Sequence, residues 1–298
     1  MTRGNRYRMI AIDLDGTLLC PQGTVRPRTK DAVHRALDAG MLVCFATGRN
    51  FTESRAVLSA VAHFDCAVFV SGAMVIDTRH RITLHRQAMQ PTLAAEVCDE
   101  LEAAGHAALA LQDESATGID YLITDGIEIN ESTARWMQAT QAVWRRVPNL
   151  GKYRHEHTIR CGIVAPPEQV EQVRQRLARR FNGRAFCHSI HVPPQNVQVL
   201  EVFDPSVNKW EGIMHVARRH GIAAEQIIAI GDDINDLHMI RNAGLGVAMG
   251  NARPQVQQAA QLVIGSNQEE GLARFLEELF PTRGVLMAST SGHRTARE

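Results

Sequence analysis

The chain has 298 residues, 45% of them hydrophobic, enough to bury a sizeable core in one large or two medium domains. Its 32 Lys plus Arg balance 32 Asp plus Glu, so no net charge draws it to nucleic acid or an anionic membrane, and any phosphate binding has to be local. No apolar run approaches the ~18 residues of a membrane span, and Asp13 cuts off the first apolar run too early for a signal peptide.

The run Met-Ile-Ala-Ile at 9–12 is too short for a helix and ends in Asp13-Leu14-Asp15-Gly16-Thr17. It predicts a buried parallel strand opening at its C-terminal edge, where open α/β sheets take their ligands. Strand alternation would point Asp13 and Asp15 to the same side, although Asp-x-Asp-Gly alone also fits a simple capped turn. A helix over 27–39, with Pro at its start and Gly40 past its end, leads to a strand over 41–45 that delivers Thr47-Gly48-Arg49 to the same edge. A helix over 51–61 and a strand over 67–70 complete an alternating pattern that predicts a parallel sheet with right-handed crossovers. Segments 74–78 and 82–85 read as an antiparallel hairpin leaving that sheet.

From about residue 89 the order becomes mixed. Helices are predicted over 91–104, 132–147 and 167–181, and strands over 106–112, 121–124, 158–165, 184–190 and 197–203, an α+β unit inserted into the first sheet. The stretch Val192-Pro193-Pro194-Gln195 reads as the return hinge. The alternating pattern then resumes with a helix over 206–219, a strand over 227–230 ending in Gly231-Asp232-Asp233, and further elements to residue 279. Residues 281–298, rich in Ser, Thr, Gly and Arg, read as a mobile tail.

The six cysteines show no Cys-x-x-Cys spacing and read as small buried hydrophobes in a reducing compartment, so the expected location is cytoplasmic. The 13 histidines form no metal-binding cluster on one predicted face.

Four elements recur in order: Asp13-Leu14-Asp15-Gly16-Thr17, then Thr47-Gly48-Arg49, then Lys209, then Gly231-Asp232-Asp233-Ile234-Asn235-Asp236. As a set they resemble the motifs of the haloacid dehalogenase (HAD) superfamily, specifically its Cof-like (type IIB) phosphatases, over about 1–88 and 199–280. The resemblance implies an α/β fold with a Rossmann-like parallel-sheet core at 1–88 and 199–280 and an α+β cap at 89–198. It also implies a phosphatase of small phosphorylated metabolites, such as sugar phosphates, that uses Mg2+ and an aspartyl-phosphate.

By that resemblance Asp13 is the nucleophile, and Asp15 protonates the leaving oxygen and then deprotonates water. Mg2+ is held by the Asp13 carboxylate, the Asp15 backbone carbonyl and Asp232, with Asp233 and Asp236 supporting those ligands. Leu14, Thr47, Gly48, Lys209 and Asn235 bind phosphate, while Ser71 departs from the usual Asn and, with Arg49, is left unassigned. A lone lysine on a helix is ordinarily a solvated charge, so truncating Lys209 is expected to lower turnover with the fold nearly intact. A phosphomutase of the same superfamily and a non-catalytic phosphometabolite-binding protein are the rival readings. No nucleic-acid or membrane partner is expected, and the oligomeric state is open, with a monomer admissible.

Overall fold

The computed structural model describes residues 6–140, 142–192 and 197–281. In chain order the strands are β1 (Met9–Ile12), β2 (Leu42–Phe45), β3 (Cys66–Phe69), β4 (Met74–Asp77), β5 (Ile82–Arg86), β6 (Leu109–Gln112) and β7 (Tyr121–Thr124). There follow β8 (Trp144–Val147), β9 (Thr158–Ala165), β10 (Phe186–Val192), β11 (Val197–Phe203), β12 (Ile227–Gly231), β13 (Leu245–Ala248) and β14 (Leu262–Val263).

The first sheet runs β14-β13-β12-β1-β2, every pair parallel, and a parallel bridge between Ala46 and Val68 carries it on to β3. From β1 the chain moves outward through β2 to β3, and from β12 it moves the opposite way. The strand order therefore reverses between β1 and β12, which opens a crevice beyond their C-terminal ends. Both faces of these strands are covered, and that is why they read as unbroken apolar runs. Ile10, Ile12, Phe45, Ile228 and Ile230 pack with Val33, Leu272 and Leu276 of the helices Pro27–Asp38 and Gly271–Leu279. Met9, Ala11, Cys44, Ile227 and Ala229 pack on the other face with Ile213, Val216 and Ala217 of the helix Lys209–Arg219.

The second sheet runs β10-β11-β9-β6-β7-β8, antiparallel except for the pair β7 and β8. Helices Pro91–Ala103 and Pro167–Phe181 cover one face through Leu93, Val97, Leu101, Val170, Val173 and Leu177. Its other face carries Leu111, Tyr121 and Ile159 into the same apolar cluster as the first sheet. The hairpin β4–β5 extends β3 as an antiparallel sheet with an irregular register at Val75/Ile76.

Several sequence-based expectations change. The helix drawn over 132–147 is a helix at Glu131–Thr140 followed by β8, because Trp144 to Val147 find a backbone partner in β7, which supplies ladder bonds that the helix would otherwise have given. Of the return hinge expected at 192–195, Val192 pairs antiparallel with Val197, and residues 193–196 lie outside the described residues. Pairing of β11 with β9 continues to Val202, so the boundary drawn at 198/199 falls inside a strand of the second sheet. The helix expected from 206 starts at Lys209, where the Asn208 side chain accepts from Glu211 N at 3.1 Å and caps it. Of the tail expected at 281–298, residues 282–298 are outside the described residues. Among the described residues, no helix is long and apolar enough to cross a membrane.

Candidate active site

At the end of β1 the chain leaves strand geometry in a tight turn, with Leu18 N donating to Asp13 O at 3.2 Å and Leu19 N to Leu14 O at 2.9 Å. Alternation therefore does not carry through to Asp15, and the two aspartates part company. Asp13 is buried, and its Oδ1 accepts from Lys209 Nζ at 2.6 Å. The side chain of Asp15 is 55% exposed and is held by Arg49 through two hydrogen bonds, the Nε one at 2.8 Å. Gly16 completes the turn at φ +80°, and a Cβ there would sit 2.1 Å from Asp232 Oδ2. The bare backbone lets the Asp232 carboxylate come close.

Asp232 follows β12 and accepts from the Thr17 hydroxyl at 3.2 Å. Asp236 is fully buried behind it: its Oδ2 accepts from the backbone N–H groups of Asp232 and Asp233 at 2.9 and 3.0 Å, and its Oδ1 from Lys209 Nζ at 2.6 Å. Asp236 thus fixes both the loop that carries Asp232 and the ammonium that faces Asp13. Asp233 turns outward, accepting from Ile234 N at 2.8 Å and Arg253 Nε at 3.0 Å. Asn251, in the turn Gly250-Asn251-Ala252 that also resembles a family turn near the site, donates to Gly16 O at 2.9 Å and braces the first turn.

Carboxylate oxygens of Asp13, Asp232 and Asp236 lie within 4.8 Å of one another. Burial raises the Asp13 carboxyl well above its ordinary range against the pull of Lys209, and the charges of Asp236, Asp232 and Asp15 add to the rise. Burial and Asp236 push Asp232 up to about 7, opposed by Lys209 and the Thr17 hydrogen bond. Burial works against the Lys209 ammonium, but Asp13 and Asp236 more than offset it and hold it charged. One ammonium faces three carboxylates, an excess of negative charge built only of hard oxygen donors, and that donor set suits a small divalent cation.

Three loop ends meet at Gly48. A Cβ there would lie 3.4 Å from Ser71 Oγ and 3.6 Å from Asn235 Nδ2. Thr47 is fully buried beside it, its hydroxyl oxygen accepting from Arg49 N at 3.1 Å, which leaves the hydroxyl proton free to donate. Ser71 Oγ is buried and has no hydrogen-bond partner among the described residues. Val70 and Ser71 both hold left-handed backbone, at φ 53° and 55°, and Ser71 N donates to Thr47 O at 3.0 Å. Strain of this kind persists where surrounding contacts over-determine it. The contact here is Gly72, at φ +108°, where a Cβ would fall 2.0 Å from Asn208 O at the start of the Lys209 helix. Gly72→Ala is expected to destabilise the protein by ~3 kcal/mol or more and to lower turnover by displacing Lys209. A urea midpoint unchanged from wild type would overturn the close approach.

The structure thus gathers Asp13, Thr47, Gly48, Lys209, Asp232, Asn235 and Asp236 at one sheet edge, while Asp15 pairs with Arg49 and Asp233 with Arg253. Sequence reasoning missed Arg160 and Glu201 of the second sheet, an ion pair in which both side chains are 6% exposed or less. A charge inside each of two apolar strands, at Thr-Ile-Arg-Cys and Val-Leu-Glu-Val, was the available signal.

The family model described as haloacid dehalogenase-like hydrolase matches residues 10–276. Among curated proteins, the chain is 29% identical over 278 residues to 5-amino-6-(5-phospho-D-ribitylamino)uracil phosphatase of Bacillus subtilis, covering 91% of this chain and 97% of that one. It is 28% identical over 282 residues to the HMP-PP phosphatase of Serratia proteamaculans, covering 91% and 94%. Among solved structures, a haloacid dehalogenase-like hydrolase from Bacteroides thetaiotaomicron superposes with a TM-score of 0.76 at 22% identity, covering 92% of this chain and all of that one. A HAD subclass IIB sugar phosphatase superposes with a TM-score of 0.72 at 21% identity, covering 91% and 98%.

Proposed function

We propose that this chain, which belongs to the haloacid dehalogenase-like hydrolase family, is a Mg2+-dependent phosphatase of small phosphorylated metabolites that works through an aspartyl-phosphate on Asp13. The observation that carries the reading is the buried Asp13 carboxylate at the sheet's switch point, facing the Lys209 ammonium with Asp232 and Asp236 beside it. Relatives named as phosphatases of phosphorylated ribitylaminouracil and of HMP-PP support the substrate class.

In the proposed reaction a carboxylate oxygen of Asp13 attacks phosphorus, the bond to the ester oxygen breaks, and that oxygen leaves with a proton from Asp15. Asp15 then takes a proton from water, whose oxygen attacks phosphorus and frees Asp13 and inorganic phosphate. Lys209, the Thr47 hydroxyl, the Gly48 backbone and Asn235 are arranged to receive phosphoryl oxygens, and the backbone of Leu14 lines the same turn. Arg49 fixes the position of the Asp15 side chain through its two hydrogen bonds.

Asp13, Asp232 and the backbone carbonyl of Asp15 would hold the metal, with Asp233 and Asp236 supporting the loop. Bound there, Mg2+ would neutralise developing phosphoryl charge and permit the carboxylates to stay ionised together. Cation and proton then compete for the same carboxylates. With Asp232 near 7, it is protonated below that pH and available above it. Apparent Mg2+ affinity is expected to fall about tenfold as pH drops from 8 to 6, with protons released on binding. Calorimetry in buffers of different ionisation enthalpy measures both, and a pH-independent affinity would remove Asp232 from the ligand set.

The second sheet and its two helices form the proposed cap. We place the chain's return to the core after β11, at 204–207, rather than within 192–195. Cytoplasmic location is part of the same reading and rests on the cysteine pattern. A screen of phosphorylated metabolites with Mg2+ and with EDTA tests the whole: no hydrolysis of any monoester sinks the phosphatase reading, and full activity in chelator sinks the metal.

A further inference from the structure

Across the face of the second sheet that looks toward the first, β9, β10 and β11 bring together three polar side chains that no catalytic step uses. His188 of β10 is the cross-strand partner of Glu201 of β11, and Arg160 of β9 pairs with Glu201 Oε1. Arg160 reaches down to the catalytic loops, with Nη1 3.4 Å from Gly48 O and Nη2 donating to Tyr121 Oη at 3.0 Å. Tyr121 Oη in turn accepts from Asn50 Nδ2 at 3.2 Å, next to the phosphate loop.

Glu201 is 2% exposed, yet among the described residues its Oε2 has no hydrogen-bond partner, and neither has the buried Nδ1 of His188, 3.7 Å away. Two unpaired polar atoms side by side in a buried place are costly unless something completes them. Burial pulls the His188 imidazole below its ordinary value, with Asp233 and Asp236 pulling the other way and Lys209 and Arg160 reinforcing, so the ring feels the charges of the catalytic loop.

Resting on the phosphatase reading, we infer that Glu201 and His188 hold the leaving group of the substrate, a neutral polar group that gives an N–H or O–H to Glu201 Oε2 and sets a second polar atom against His188 Nδ1. A polyol and an amino-substituted heterocycle both present that pair. An apolar leaving group would strand both atoms, and an acidic one would face the open carboxylate oxygen. A cationic one would meet the Arg160 guanidinium already on the same carboxylate.

The test compares kcat/KM of the full chain with Mg2+ for ribitol 5-phosphate, an aminopyrimidinylmethyl phosphate and butyl phosphate, with an aryl phosphate as reference. Wild type should prefer at least one of the first two over butyl phosphate by about tenfold or more, and the arm that wins names the source of the donor. Glu201→Gln should shrink that preference to within about threefold, chiefly through KM. Should the loss of the Arg160 pairing unfold that variant, His188→Leu gives the same readout, since among the described residues His188 makes no ion pair shorter than 3.7 Å. A preference that survives in the folded variants, or an equal loss on every substrate, overturns the inference. A wild type that cleaves the aryl phosphate without any preference overturns this inference alone, and one that cleaves no monoester overturns the phosphatase reading with it.

Discussion

Asp13→Asn is expected to remove turnover of every phosphate monoester, a loss of about four orders of magnitude or more, while Asp15→Asn is expected to fail in a different way. Asp13 is the buried carboxylate against Lys209, so its replacement deletes the attacking oxygen, and no phospho-enzyme forms with any leaving group. The fold should survive, because Lys209 keeps Asp236 and a carboxylate already disfavoured by burial is gone. Asp15 is exposed and paired with Arg49, so its replacement costs proton transfer and leaves the nucleophile in place. A poor leaving oxygen needs that proton and an activated phenol needs it far less. Asp15→Asn should therefore be phosphorylated by an activated aryl phosphate and then stall. Rapid mixing should show a burst of phenol of about one equivalent per enzyme, and mass spectrometry should place the phosphoryl group on Asp13. A label on another residue, or turnover by Asp13→Asn, overturns the covalent mechanism.

What could be read in the sequence followed from how local its cause was. The runs at 9–12, 42–45 and 227–230 announced a doubly covered parallel sheet because burial on both faces leaves no polar alternation, and the carboxylates at their ends fell where such sheets open. The capped helix Phe51–Val61 was legible for the same reason, with Asn50 and Glu53 completing a capping box within three residues. Where the deciding contact was remote, the reading slipped. Trp144 to Val147 are a strand only because β7 lies alongside, and Val192, read as the start of a hinge, pairs antiparallel with Val197. Asp236 looked like a supporting residue, yet its place between two backbone amides and Lys209 makes it the joint of the site. Arg160, His188 and Glu201 are separated by long stretches of chain, and only the order β10-β11-β9 makes them neighbours.

Lys209 is where the structure most changes an expectation. A lone helix lysine is expected to tolerate truncation without loss of the fold, but the Lys209 side chain is 1% exposed and its ammonium is the shared counter-ion of Asp13 and Asp236 at 2.6 Å each. Lys209→Met keeps the apolar stem and deletes only the charge, leaving two buried carboxylates uncompensated. At pH 8 the variant is expected to lose about 3–5 kcal/mol of stability, the range for breaking one side of a buried ion pair. The pH dependence has a definite sign. Without the ammonium the Asp13 carboxyl, already raised by burial, loses the charge that pulls it down and holds its proton to higher pH than in the unfolded chain, so the deficit is present above its folded value and shrinks as the pH falls and it becomes neutral. Urea unfolding should therefore bring wild type and variant together toward pH 5 and separate them at pH 8, and added Mg2+ should narrow the gap at pH 8 by supplying positive charge. Turnover should remain down by about three orders of magnitude where the variant is folded, since the lost charge faces the transferring phosphoryl group. Equal stability at pH 8 would mean that Lys209 is not the counter-ion of this cluster, and wild-type kinetics in a folded variant would take it out of the catalytic site altogether.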